Sequence, residues 1–266
     1  MRSRCATQYP IVLIHGSGYR DNNKIGYWGR IPAALREEGA QVYCSRQDAW
    51  GALETNVELL KDNILHALSD AGADKVNLIA HSRGGIEARQ VIHHPMLTGK
   101  IASLTTISTP HHGSRTMDAL TKPPQWMHKF LSLFVNGWFR LWGDKHPDFF
   151  HSSRQFTSAW CEEFNRTCPN DPNVYYQSYA SSMSCCRSDW MMAFSYFVIR
   201  RVEGENDGLV AADSAAWGEF QGVVSTQVRR GVSHADIVDM RRRDLPGLDI
   251  RQFYQTIAEG LKQKGL

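Results

Sequence analysis

Long apolar runs are the first thing this 266-residue chain lacks. The longest, WMMAFSYFVI over 190–199, falls well short of the roughly 20 residues that span a bilayer. Near the start only residues 11–14 are continuously apolar, fewer than the roughly 7 to 15 of a signal-peptide core. The expectation is a soluble protein with no transmembrane segment, either cytoplasmic or secreted after loss of a leader. Charge bias is missing too. The 30 Lys and Arg against 27 Asp and Glu leave a net charge of +3, with no long run of one sign. Nucleic acid is therefore not an expected partner. None of the six cysteines forms a CxxC pair. Cys161 and Cys168 share a stretch of helical spacing, and a rise of about 10 Å over seven residues rules out a bridge between them there. They read as packed thiols. Internal repeats and low-complexity tracts are absent as well.

What is present is alternation. Apolar, β-branched stretches at 9–14, 40–45, 75–80, 101–108, 173–180 and 222–227 read as strands. Segments 28–38, 55–71, 84–93 and 249–264 have helical spacing, and Gly39 and Gly72 stop the first two. Strands alternating with helices imply an α/β protein with a mostly parallel sheet and helices on both faces. In such sheets the site lies at the carboxyl ends of the strands, where the loops after Ile14, Ala80 and Ser108 fall. The length fits one domain over 1–266 carrying an insertion. That insertion is expected at about 116–165, where strand signals stop and the chain turns aromatic. Trp126, Phe130, Phe134, Trp138 and Trp142 recur about every four residues, the spacing of one helix face. Such a stripe either closes over the site as a lid, with Gly137 and Gly143 as hinges, or packs on the sheet.

The stretch NLIAHSRGGIEA, 77–88, places Ser82 where a strand becomes a helix. A serine at so tight a bend has its hydroxyl pushed out of the sheet and backbone N–H groups gathered around it, provided small residues stand two before and two after. Ala80 and Gly84 meet that need. The bland alternative is a serine capping the helix. A serine attacks an ester at neutral pH only with a base to take its proton, a carboxylate to hold that base and donors for the oxyanion. Late in the chain His234, in GVSHAD, and Asp207, in EGENDGLV, are the candidates for base and acid. Against them stand a surface histidine and a turn aspartate. His111, His112 and His15 read as structural, His15 as a brace for its loop.

Taken together, YPIVLIHG (9–16), IPAALREEGAQVY (31–43), KVNLIAHSRGG (75–85), ISTPHHGS (107–114), VYYQSYAS (174–181), NDGLV (206–210) and HAD (234–236) run in order over nearly the whole chain. In this combination the chain resembles the bacterial true lipases of the Pseudomonas and Proteus type. The resemblance implies an α/β-hydrolase fold and a serine esterase cleaving triacylglycerol or related acyl esters at an oil–water interface. It implies Ser82 as nucleophile, Asp207 as acid and His234 as base, with an oxyanion hole from the backbone N–H groups of Ser17 and Arg83. It also implies a structural calcium held by Asp189 and Asp236, whose alternative is a pair of solvated or capping aspartates. The chemistry itself requires no cofactor. A short-chain carboxylesterase or thioesterase would use the same triad, and a non-catalytic binding relative would be marked by a missing triad member.

Overall fold

In the computed structural model, residues 3–18, 26–120, 154–226 and 229–266 are described, together with Gly137 and Asp148. Residues of alternating direction build the sheet. Its strands are β1 (Ile11–Ile14), β2 (Val42–Cys44), β3 (Val76–His81), β4 (Ile101–Ile107), β5 (Tyr175–Ser181) and β6 (Glu219–Val224), all parallel, in the order β2-β1-β3-β4-β5-β6. Val12, Ile14, Leu78 and Ala80 turn to one face, and Ile11, Leu13 and Ile79 to the other. Both faces are covered, so β1, β3 and β4 are buried along their whole length, and β1 reads as a continuous apolar run. Helices α2 (Leu53–Ala71) and α3 (Arg83–Ile92) cover the first face. Helix α1 (Ile31–Glu37) and the final helix Ile250–Gln263 pack together on the second, around Trp28, Ile31, Leu35, Tyr254 and Leu261.

After β2 the winding reverses and β3 pairs on the other side of β1, with Ile14 opposite Ala80. The carboxyl ends of β1 and β3 thus lie side by side at the point where an open sheet forms its crevice. The β6 strand starts at Glu219, three residues before the expected 222, because this edge strand is largely exposed and lacks the buried residues that mark the central strands. The run at 190–199, set aside above only as too short for a bilayer, belongs to the short turn Trp190–Met192 and the helix Ala193–Val202. No described helix is long and apolar enough to cross a membrane.

Between β4 and β5 the described elements are helical, Arg115–Leu120 and Ser158–Thr167. The aromatic stripe Trp126, Phe130, Phe134, Trp138 and Trp142 and the second hinge glycine, Gly143, lie outside the described residues. All six cysteines are free. The Cys161 and Cys168 thiols are buried, with Cys161 in the helix and Cys168 at its end. Burial pushes the Cys161 thiol up to about 12, which makes it an inert packing group.

Candidate active site

The bend at Ser82 is strained. Its φ of 56° and ψ of −133° lie where a side chain is rarely tolerated, so the surroundings must hold it there. The Ser82 N–H donates to Ile107 O at 3.0 Å, and Ser82 O accepts from the Gly85 N–H at 3.0 Å. Space is as tight as the sequence suggests. A Cβ on Gly84 would stand 2.4 Å from His15 O and 2.8 Å from Ile14 O. One on Gly16 would stand 2.7 Å from Ser82 Cβ, so the loop after β1 passes directly against the serine.

Asp207 and His234 meet at the same edge. His234 Nδ1 lies 2.8 Å from Asp207 Oδ2, and the His234 N–H donates to Asp207 O at 2.9 Å. A carboxylate only accepts, so Nδ1 carries the proton and the Nε2 lone pair is left as the base. The other carboxylate oxygen accepts from the amides of Leu209 (3.0 Å) and Val210 (2.8 Å). Asp207 is therefore a turn residue and a histidine partner at once. Burial would raise its carboxyl, but His234 and the Val210 and Leu209 amides outweigh that and hold it below the usual aspartate value. The chain running out of β5 ties the acid and base loops together. Val232 N–H donates to Ser182 O at 2.7 Å, and Met183 N–H to Asn206 O at 2.9 Å.

Sequence reasoning did not single out several groups around this pair. Ser181 Oγ donates to Asp207 Oδ2 at 3.1 Å and lies 2.8 Å from Ser108 Oγ. The His81 ring, next to Ser82 in the chain, stands 4.3 Å from the His234 ring. Tyr27 OH and His81 Nδ1 share a hydrogen bond of 2.7 Å, and burial followed by the nearby His234 keeps His81 far below its ordinary pKa and neutral. Only the adjacency of His81 to Ser82 hints at this from sequence. Among the described hydrogen bonds none joins Ser82 Oγ to His234, a contact that in such sites often tightens only with substrate.

Ser17 follows Gly16 on the loop against Ser82, and among the described residues its amide has no acceptor. Arg83 stands at the start of α3, but its side chain turns inward, 1% exposed. Its guanidinium pairs with Glu87 at 3.2 Å and donates to Gly51 O. Glu87 in turn accepts from Asn56 and from Gln47, which also donates to His15 O. His15 Nε2 lies 3.1 Å from Gln47 O, so the histidine braces its loop. His111 is likewise structural, bound to Thr106 Oγ1 at 2.9 Å and stacked on Trp217.

Asp189 and Asp236 are brought together, and three of their four oxygens accept hydrogen bonds or pair with arginine, while Asp236 Oδ1 has only the distant charge of Arg243. Ser233 Oγ lies 2.9 Å from Asp189 Oδ2 and 2.8 Å from Asp236 Oδ2. Arg241 reaches Asp189 Oδ1 at 2.6 Å, Arg230 reaches Asp236 Oδ2 at 2.8 Å, and Arg243 lies 3.5 Å from Asp236 Oδ1. Calcium wants several uncommitted hard oxygens. Carboxylates covered by guanidinium groups do not fit it, and among the described residues no group of three or more His, Cys, Asp or Glu could hold a metal.

Comparison with known proteins adds the lineage. A family model described as palmitoyl protein thioesterase matches residues 10–245. The chain belongs to the palmitoyl protein thioesterase family. It is 30% identical over 270 residues to Triacylglycerol lipase 2 of Saccharomyces cerevisiae, covering 93% of this chain and 76% of that protein. It is 34% identical over 179 residues to the triacylglycerol lipase of Burkholderia plantarii, covering 62% of this chain and 49% of that one. The matched part is thus about half the length of that bacterial relative. Among solved structures, a metagenomic carboxyl esterase superposes with a TM-score of 0.76 at 14% identity, covering 97% of this chain and 76% of the other. Staphylococcus hyicus lipase superposes with a TM-score of 0.70 at 17% identity and 96% coverage of both. This member of the palmitoyl protein thioesterase family has the α/β-hydrolase fold and is a hydrolase of the lipase or carboxylesterase kind.

Proposed function

We propose that the chain hydrolyses long-chain acyl esters, triacylglycerol first among them, through an acyl-enzyme on Ser82. Within its group the order of motifs favours the Pseudomonas and Proteus type of lipase. The observation that carries the proposal is the strained Ser82 bend set beside a hydrogen-bonded Asp207–His234 pair. His234 Nε2 takes the Ser82 proton as Oγ attacks the acyl carbon, then gives it to the leaving alkoxide. Water repeats the sequence in reverse and releases the fatty acid. The Ser17 and Arg83 amides stabilise the oxyanion, each worth about 3–4 kcal/mol in comparable hydrolases. Asp207 holds the imidazole tautomer and balances the imidazolium. No metal or cofactor takes part in these steps. The inward turn of Arg83 removes its charge from headgroup selection and leaves acyl contacts to set preference.

A thioester substrate is the second reading, favoured by the description of the family model. The two are separated by rates on emulsified triolein and on an S-palmitoyl peptide, with Ser82→Ala as control. Ser82→Ala is expected to fold and to lose activity by about 10⁴-fold or more on either substrate. Organophosphonate labelling of another residue, or near-normal turnover by the variant, refutes the assignment.

A further inference from the structure

Two buried carboxylates flank the proposed base. Asp189 is 1% exposed and Asp236 3%, and they share the hydroxyl of Ser233, the residue before His234. One hydroxyl has one proton and cannot satisfy two carboxylates. Left so, two like charges this close would push the loop apart. Arg241 stands on Asp189 and Arg230 on Asp236, supplying the positive charge the pair needs. The contacts also cross the fold, since Arg241 lies 52 residues beyond Asp189. A cation arriving from solvent meets a pocket of about 300 Å³ lined by Arg187, Arg230, Arg241 and Arg243, which repels it.

Resting on the triad reading above, we propose that Arg241 and Arg230 are positioning residues for His234, their guanidinium groups doing permanently what a divalent cation would do between these two aspartates. The histidine loop is then fixed without metal, and its stability does not depend on calcium.

The test uses the rate at which an organophosphonate labels Ser82, which reports the base and not only the fold. For the wild type, EDTA or millimolar calcium is expected to change neither the melting temperature nor the labelling rate. Arg241→Met is expected to slow labelling and kcat on a soluble ester together by about tenfold or more, with KM little changed, since a displaced base costs rate more than binding. Arg241→Lys, which keeps the charge, is expected to recover most of that loss. Arg230→Gln, which uncovers Asp236 instead of Asp189, gives the same pattern if Arg241→Met fails to fold. Calcium-dependent stabilisation of the wild type overturns the proposal. So does a variant that melts earlier yet labels at the wild-type rate, for then the arginines are merely structural. A wild type that is not labelled at Ser82 at all defeats the triad reading instead.

Discussion

Asp207 shows how much a single residue is asked to do. Its two oxygens accept from two amides, one serine and one histidine, so the carboxylate is fixed in place for the role proposed for it beside His234. Asp207→Asn is expected to lower kcat by about 10⁴-fold, less than loss of Ser82, because the amide can donate to Nδ1 and so favours the wrong tautomer. Ser181→Ala removes one hydrogen bond from a neutral donor to the same ionised carboxylate and is expected to cost about 10-fold. Steady-state kinetics on a soluble ester rank the three. A Ser181→Ala loss as large as that of Asp207→Asn would make the serine part of the catalytic unit.

At the level of elements, the junction of β3 and α3 is limited by backbone contact. A Cβ at Gly84 would meet carbonyl oxygens of residues 14 and 15, and backbone cannot swing aside as a side chain can. Gly84→Ala is therefore expected to destabilise the protein by about 1–3 kcal/mol and to slow organophosphonate labelling, since the Ser17 loop must shift. Unchanged melting and labelling would show that the junction has slack. The inserted segment at about 116–165 is proposed as a lid. Activity on a medium-chain triglyceride is expected to rise sharply once emulsion appears, and Trp138→Ser to weaken that rise more than it slows a soluble short ester. A smooth curve through the solubility limit, with both substrates equally affected, would make the stripe ordinary core.

For the whole molecule, acid works against two buried histidines. His81 and His111 are fully buried, and burial followed by a neighbouring cation or imidazole sets both well below their ordinary pKa. Their stabilising contribution is complete above the unfolded histidine pKa of about 6.5 and is lost as pH falls toward the native value. Each contributes a slope of about 1.4 kcal/mol per pH unit in that range, because the unfolded chain takes up a proton the native one refuses. His111→Gln is expected to make melting temperature less dependent on pH between 6.5 and 5, whatever it does to stability at neutral pH. An unaltered slope would mean that His111 is protonated in the folded protein.

The sequence by itself determined the parallel sheet, its central strands and the bend at Ser82, because these rest on local rules. Alternation decides which way a strand's side chains face, and small residues around the serine permit the turn. The pairing of Asp207 with His234 was legible as order along the chain, while its neighbours were not. Ser108, Ser181, Tyr27 and His81 converge from four separate segments, and apart from the adjacency of His81 to Ser82 nothing in their own surroundings marks them. Tertiary structure alone decided that Arg83 is buried and reaches Gly51 O and that Asp189 and Asp236 meet arginines. A charged side chain is long and rotatable. The partner it reaches is set by packing across the sheet, which no local pattern encodes.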